Sequence, residues 1–140
     1  ELEANANLTR ELSLVGSYTL LDAETTKTGT ATAEKGKTPS QVSDRMASFW
    51  AHYDVQGGPL DGLGFGSGVR YVGASYGDNT ESLKVPSYTI YDAVVSYDWQ
   101  NTTLQLNANN LADTKYVATC DYYCWYGNRR NVVASLTYRW

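Results

Sequence analysis

Residues 102–140 read TTLQLNANNLADTKYVATCDYYCWYGNRRNVVASLTYRW. Apolar and polar side chains alternate over Leu104–Asn109, and a second alternating run begins at Asn131 and ends at Trp140. A period of two with one apolar and one mostly polar face predicts strands of a sheet that separates two different environments. The last strand carries Trp140 on its apolar face, as expected where lipid lies on one side and a wet lumen on the other.

The residues before this region carry the same alternation in five more runs, with no helical period between them. We therefore expect about seven antiparallel strands and an all-β fold. The five preceding runs are residues 1–8, 12–20, 45–55, 63–71 and 91–99.

The connections between the predicted strands alternate in length. Short connections lie at 9–11, 56–62 and 100–101, and long ones lie near 22–44, 77–86 and 117–128. Segment 22–44 contains almost no apolar residue, so we expect a long, mobile loop there. Short turns on one side and long loops on the other are typical of outer-membrane β-barrels, whose long loops are extracellular.

Composition excludes several classes of protein. Hydrophobic residues make up 42% of the chain and mean hydropathy is −0.43. No apolar run of about 18 residues occurs, which excludes a transmembrane helix. The net charge of −4 argues against a nucleic-acid partner, which selects a basic surface. Aromatic residues reach 13%, and the twelve Tyr and four Trp suit either a membrane interface or a ligand-binding surface.

No residue pattern indicates an enzyme. His52 is the only histidine, and the motifs HExxH, GxSxG and CxxC are absent. His52 and Asp54 lie two residues apart on one strand face, which lets the carboxylate orient the imidazole, but no nucleophile accompanies them. We therefore interpret this pair as lining a lumen.

Two carboxylates share one face of the strand at 91–99. Asp92 and Asp98 lie about 20 Å apart along that strand, too far for paired carboxylate catalysis. We expect them to pair with lumen charges such as Arg70 and Arg139.

Glycine occupies alternate positions of the strand at 63–71, namely Gly64, Gly66 and Gly68. No helix follows, so this is not a phosphate-binding loop. The glycines either make room for another element to approach the polar face, or are simply tolerated on a wet face.

Cys120 and Cys124 can form either a metal pair or a disulfide. Without a further Cys or His a zinc site is incomplete, which favours a disulfide made in an oxidising compartment. Four aromatic rings lie beside them, at Tyr122, Tyr123, Trp125 and Tyr126. The rings form either an exposed aromatic collar at the membrane interface or a preorganised wall for a bulky ligand, and both interpretations stay open.

Several motifs resemble one family. Residues 109–116 read NNLADTKY and fit the pattern Asn-Asn-Leu-x-Asp-x-x-Tyr. Together with the two-cysteine loop and the aromatic end of the last strand, they resemble the carboxyl terminus of TonB-dependent ferric-siderophore receptors, especially the ferrichrome-type hydroxamate receptors, whose cysteine spacing is longer. Shorter similarities to the family's strands are YTLLDAE at 18–24, VRYVG at 69–73 and VPSY at 85–88. The resemblance covers essentially the whole chain, but only roughly the last third of a receptor.

The resemblance implies a fold, a location and a function. Residues 1–140 would be a C-terminal segment of a 22-stranded, plugged barrel in the bacterial outer membrane, without the N-terminal plug domain. The whole receptor would bind and import a ferric siderophore of hydroxamate type, with energy transmitted by TonB through the plug. Neither enzyme activity nor a cofactor is expected, because the ferric siderophore is the transported ligand.

The resemblance also implies site residues and further partners. Ferrichrome-type receptors place aromatic residues of this loop against the ferric siderophore, so the four rings beside the cysteines are the expected ligand contacts. The barrel-assembly machinery would recognise the terminal Trp140. Outer-membrane lipid would contact Leu136 and Tyr138, whereas Thr137 and Arg139 would face the lumen.

Two other classes of protein are alternatives. A soluble secreted β-sandwich would bind carbohydrate through its Tyr and Trp rings and would refold without detergent. A small membrane-barrel enzyme would need one more strand and a hydrolytic constellation that the sequence lacks. Because bacterial single-chain barrels close with even strand numbers, we expect a fragment with two open edges.

Overall fold

The computed structural model describes residues 1–140, and its main feature is one antiparallel sheet of seven strands. These strands follow one another across the sheet in chain order. They are β1 (Leu2–Asn7), β2 (Leu12–Leu20), β3 (Arg45–Asp54), β4 (Leu63–Val72), β7 (Tyr88–Trp99), β8 (Thr102–Asn109) and β11 (Asn131–Tyr138). The predicted all-β fold and the seven predicted strands are confirmed.

The long connections contain four short strands that the sequence did not predict. They form two hairpins, one pairing β5 (Ser75–Tyr76) with β6 (Lys84–Val85), the other pairing β9 (Val117–Cys120) with β10 (Cys124–Tyr126). Strands this short cannot show an alternating pattern, so composition alone predicted loops.

The two ends of the sheet differ. Short connections join β1 to β2, β3 to β4 and β7 to β8 at one end, which we call the turn end. Long connections leave the opposite end, which we call the loop end. Three-residue 3₁₀ helices lie at Thr32–Glu34 and Gly58–Leu60. No helix of the structure has the length and apolar character needed to cross a membrane.

The register gives the sheet an apolar face and a polar face. On the apolar face Phe49 lies opposite Val69, and Val69 lies opposite Tyr91. One position along, on the polar face, Trp50 lies opposite Gly68. Because side chains alternate along each strand, this register keeps the predicted apolar residues of neighbouring strands together.

Neither face is covered by a second layer. Only 10 of 140 residues are buried, and the buried hydrophobic ones are Val85, Ile90 and Cys120. Large apolar side chains such as Leu104 and Leu136 stand exposed on the apolar face. A β-sandwich buries such faces between two sheets, so the soluble alternative is not supported. An uncovered apolar face fits a sheet that contacts lipid on that side.

Aromatic side chains border the apolar face at both ends. Tyr18 and Tyr71 flank Ala47 in one row near the loop end. Near the turn end, Trp99 and Tyr138 flank Thr102 in the same way. Amphipathic rings at both borders of an apolar band are typical of barrels at the two interfaces of a membrane.

The glycines of β4 make room for side chains of β3. Gly68 and Gly66 lie opposite Trp50 and His52. A Cβ on Gly66 would lie 2.8 Å from Nδ1 of His52, and a Cβ on Gly68 would overlap the ring of Trp50. Cross-strand packing is thus a third explanation for these glycines, which neither sequence interpretation included.

Strand β7 begins at Tyr88, earlier than the predicted start at Tyr91. Tyr88 and Ile90 lie on the polar face, where the alternation predicted polar residues. They are covered there, because Ile90 is 3% exposed and the ring of Tyr88 packs on that of Tyr116, with centroids 4.2 Å apart. The predicted boundary was wrong because the pattern assumed an uncovered polar face.

Candidate ligand-binding surface

The long loop 21–44 docks on the connection between β5 and β6. Its Thr38 backbone N–H donates to Oε1 of Glu81 at 2.9 Å, and Lys37 Nζ lies 3.2 Å from Oε2. The hydrogen bond from Thr38 is the main cause of the lowered pKa of Glu81, and Lys37 adds to it. The loop predicted to lack a core is therefore held by polar contacts.

Asp78 shapes the turn that presents Glu81. Its carboxylate accepts hydrogen bonds from the Thr80 hydroxyl and from the backbone N–H groups of Thr80, Ser82 and Leu83. The Thr80 hydroxyl and these amides hold the pKa of Asp78 well below its usual range. A carboxylate with this many donors stays ionised and fixes the turn.

A disulfide-closed hairpin forms the outermost part of the candidate surface. Cys120 and Cys124 lie opposite each other in β9 and β10 and form the predicted disulfide. Cys120 is buried, and a Cβ on Gly77 would lie 2.8 Å from its Cβ. Because only glycine permits this approach, the Cys120 end of β9 is seated against the β5–β6 region.

The four predicted ligand-binding rings lie on this hairpin and are all exposed. Exposure is 94% for Tyr122, 76% for Tyr123, 53% for Trp125 and 77% for Tyr126. None of the four stacks on another aromatic ring, since the two stacked pairs of the structure lie elsewhere. The hairpin thus carries free apolar area at the loop end, and the ligand contact stays a prediction.

Asn110 organises the base of the same loop. Its side-chain Nδ2 donates to the carbonyl oxygens of Thr114 and Asn128, both at 2.9 Å, and its Oδ1 accepts from the Thr114 N–H at 2.8 Å. The residue is 3% exposed and has a φ of 52°, a conformation that asparagine tolerates better than most residues. One buried amide therefore joins the two ends of the loop.

Asp113 joins the same ends from the exposed side. Its carboxylate accepts from Nε of Arg129 at 2.8 Å and from the Arg130 backbone N–H at 3.0 Å. The Arg129 guanidinium is the largest cause of a pKa of Asp113 well below the usual range, and the Arg130 amide is the next. Because both arginines precede β11, Asp113 links the turn after β8 to the start of the last strand.

Tyr116 completes the structural role of the NNLADTKY signature. Its ring stacks on Tyr88 and covers Gly127, where a Cβ would overlap the ring. The Gly127 N–H also donates to the Tyr116 carbonyl at 2.9 Å. Sequence reasoning used the signature only as a mark of resemblance and missed these roles. The available signal was an asparagine followed four residues later by threonine, a pattern that suits a side-chain-closed turn.

The polar face carries an ion pair connected to this loop. Nε of Arg70 lies 2.7 Å from Oδ2 of Asp92, as predicted, and Oδ1 of Asp92 accepts from the Asn110 backbone N–H at 2.9 Å. The sequence also predicted an ion pair between Asp98 and a lumen charge such as Arg70 or Arg139, and this prediction was wrong, because Asp98 takes part in none of the five ion pairs of the structure. Asp98 accepts a hydrogen bond from the hydroxyl of Thr103, which lies opposite it on β8.

The other polar-face pair lies near the turn end. His52 Nε2 and Asp54 Oδ1 are 3.0 Å apart, as the sequence predicted, and Asp54 is exposed. No group of three or more His, Cys, Asp or Glu residues converges to hold a metal ion.

The structure is a single sheet with an uncovered apolar band and aromatic borders. It has short turns at one end and docked loops at the other. These features define the wall of a transmembrane β-barrel. Residues 1–111 match the family described as TonB dependent receptor-like, beta-barrel. The chain therefore belongs to the TonB-dependent receptor family, and its location is the bacterial outer membrane.

Relatives extend across nearly the whole chain. The ferrichrome outer membrane transporter/phage receptor of Escherichia coli (strain K12) is 49% identical over 99% of this chain and 19% of the relative. The ferrioxamine B receptor of Salmonella typhimurium (strain SL1344) is 39% identical over 99% of this chain and 20% of the relative. The chain thus spans about a fifth of the length of these curated relatives.

Solved structures agree with the fold. The siderophore receptor PiuA from Acinetobacter baumannii superposes with a TM-score of 0.87 at 30% identity, over 97% of this chain and 20% of that one. BauA, the ferric preacinetobactin receptor from the same species, gives a TM-score of 0.84 at 26% identity, over 97% and 21% of the two chains. Both similarities cover the sheet and the loop end together.

Proposed function

We propose that the chain is part of the wall and extracellular surface of an outer-membrane receptor that binds a ferric siderophore of hydroxamate type and imports it. The family and the ferrichrome and ferrioxamine receptors among the relatives support this. TonB would supply energy through an N-terminal plug that is not among residues 1–140. The chain's own contribution is binding and enclosure, with no catalytic step.

The observation that carries the proposal is the disulfide-closed hairpin with four free aromatic rings at the loop end. A ferric hydroxamate presents a largely organic outer surface, and its metal is already fully coordinated. The protein then needs shape and apolar area, and direct iron ligands are unnecessary. A rigid hairpin supplies both at low cost in conformational entropy.

Two further contacts belong to the same proposal. Lipid would contact the apolar face, including Leu136 and Tyr138 on β11. The barrel-assembly machinery would recognise the chain through Trp140, which is fully exposed beyond the end of that strand.

The test replaces the rings one at a time in the complete receptor, as Tyr122→Ala, Tyr123→Ala, Trp125→Ala and Tyr126→Ala. Each well-packed ring contributes about 1–3 kcal/mol, so at least one variant should bind a ferric trishydroxamate about tenfold more weakly. Ferric-siderophore affinity and the yield of folded barrel are measured together.

Tyr97→Ala is the matched control, because it removes an exposed ring from the apolar face far from the loop. A ligand wall predicts weaker binding with normal yield in the loop variants and unchanged affinity in the control. A membrane collar predicts lower yield with unchanged affinity. Unchanged affinity in all four loop variants would remove the hairpin from the site.

A further inference from the structure

The two cysteines of the disulfide differ in exposure. Cys120 is 3% exposed and lies against Gly77, where an added Cβ would be 2.8 Å from the Cys120 Cβ. Cys124 lies directly opposite on β10 and is exposed, as are the other two residues of that strand. A reagent in the medium can therefore reach Cys124, whereas the fold shields Cys120.

The ring that this disulfide closes is short. Its two cysteines are four positions apart in the sequence, and in the chain-entropy model short rings gain the least stability from closure. Exposed disulfides also have higher reduction potentials than structural ones and are the labile or regulatory class. Both properties favour exchange of this bond with a thiol in the medium.

The tip of the hairpin has few other constraints. Between the cysteines, the Asp121 backbone N–H donates to the carbonyl oxygen of Tyr123 at 2.9 Å. Strands β9 and β10 share three paired positions, and their register shifts between Trp125 and Tyr126. The placement of the Tyr122 and Tyr123 rings therefore depends largely on the disulfide.

The base of the loop is held by other contacts. The Asn110 side chain donates to the carbonyl oxygens of Thr114 and Asn128, and the Gly127 N–H donates to the Tyr116 carbonyl at 2.9 Å. These contacts involve no residue of 117–126. Opening of the disulfide would thus loosen the tip and leave the base and the sheet in place.

We propose that Cys124 is a modification site, at which small thiols of the medium form a reversible mixed disulfide. The thiolate of such a molecule attacks Sγ of Cys124, and the new sulfur–sulfur bond forms as the bond between Cys124 and Cys120 breaks. The electron pair of the broken bond stays on Sγ of Cys120, which takes up the proton that the attacking thiol has lost. One disulfide replaces another, so no further oxidant or reductant is needed.

Cys120 acts as the resolving cysteine. It lies opposite Cys124 in the hairpin, so its thiol can attack the mixed disulfide and restore the original bond once the small thiol is removed. The consequence for binding rests on the proposed function. Modification would release Tyr122 and Tyr123, and affinity for the ferric siderophore would fall in a reducing medium.

The experiment treats the purified complete receptor in detergent with a mixture of reduced and oxidised glutathione. Acid stops the exchange, the protein is unfolded with N-ethylmaleimide to label free thiols, and the peptide that carries both cysteines is mapped by mass spectrometry. Glutathione should occupy Cys124 about tenfold more often than Cys120, with maleimide on Cys120. Receptor unfolded before the treatment should carry glutathione about equally on both. Equal occupancy in the folded receptor, a preference for Cys120 or the absence of an adduct would overturn the proposal.

Two glycine variants test whether the burial of Cys120 directs the modification. Gly77→Ala would place a Cβ 2.8 Å from that of Cys120 and 2.9 Å from Cδ2 of Leu83, so Cys120 must shift and its share of glutathione should rise severalfold. Gly29→Ala is the matched control, since no heavy atom lies within 4 Å of its added Cβ, and it should keep the parent ratio. The same ratio in both variants would overturn selection of Cys124 by burial. Resistance to SDS before heating verifies folding, and if Gly77→Ala does not fold, the folded and unfolded parent decide.

A further measurement separates this proposal from the proposed function. In folded receptor that carries glutathione, hydrogen exchange of residues 121–126 should accelerate and that of residues 131–138 should not change. The affinity of the same sample for a ferric trishydroxamate should fall severalfold. Faster exchange with unchanged affinity would support the thiol site and count against the ligand wall. Unchanged exchange at the tip would overturn its release by modification.

Discussion

The wall of the sheet and the loop 110–130 are held together in different ways. In the wall, neighbouring strands are joined by backbone ladders, and 53 of the 76 backbone hydrogen bonds lie within strands or helices. In the loop, side chains join distant backbone groups, as Asn110 does with Thr114 and Asn128. The structure of the wall depends on which face of the sheet each side chain occupies. The structure of the loop depends on the identity of a few residues.

The largest expected effect comes from a charged side chain on the apolar face of the wall. Leu106→Arg places a charge on the apolar face of β8, which costs roughly 2–4 kcal/mol at mid-membrane. Gln105→Arg, one residue away, places the same charge on the polar face. Folded receptor recovered from outer membranes should fall sharply only for the first variant. Equal yields would contradict the assignment of faces.

The next effect tests the loop. Asn110→Ala removes three side-chain hydrogen bonds and leaves buried backbone groups unpaired, at a cost of about 1–3 kcal/mol. Hydrogen exchange of residues 114–130 in the complete receptor should accelerate while barrel yield stays normal. Asn109→Ala is the control, because the Asn109 side chain makes none of these bonds. A loss of barrel yield with Asn110→Ala would show that the amide stabilises the wall and not only the loop.

A smaller effect concerns pH. The pKa of Asp113 is lower in the folded chain than in the unfolded one. The stability that Asp113 contributes to the loop is therefore complete above the unfolded pKa, and it is lost only as pH falls through the folded pKa. Protease cleavage of the hairpin should therefore be equally slow at pH 8 and pH 5.5. Asp113→Asn should speed cleavage at both. Faster cleavage of the parent at pH 5.5 would show that another titratable group stabilises the loop.

The smallest effect belongs to a side-chain contact within the wall. The hydroxyl groups of Ser17 and Ser48 lie 2.8 Å apart across β2 and β3. Ser48→Ala should cost only about 0.2–1 kcal/mol, because the ladder around it remains. The urea midpoint of the folded receptor measures this. A loss as large as that of Asn110→Ala would erase the difference between wall and loop.

The same difference explains what the sequence could predict. The seven strands, their faces and the Arg70–Asp92 pair followed from the alternation of apolar and polar residues, because each strand repeats this alternation several times. The disulfide followed from the small number of partners available to Cys120 and Cys124.

The contact of Asn110 with Asn128 and the docking of Glu81 on Thr38 were not predictable. Each depends on one contact between segments far apart in the chain, and nothing in the local pattern repeats it. The start of β7 was wrong for a related reason. Tyr88 breaks the alternation only because Tyr116, from another loop, covers it.

The docking of loop 21–44 has a consequence for engineering the cell surface. A peptide inserted at Gly29, where an added Cβ would meet no heavy atom within 4 Å, would extend freely from the bacterium. The same peptide inserted between Thr38 and Gln41 would pull Glu81, the β5–β6 hairpin and, through Gly77, the disulfide hairpin out of place. Display of foreign epitopes therefore belongs at the tip of this loop, and its second half is best left as it is.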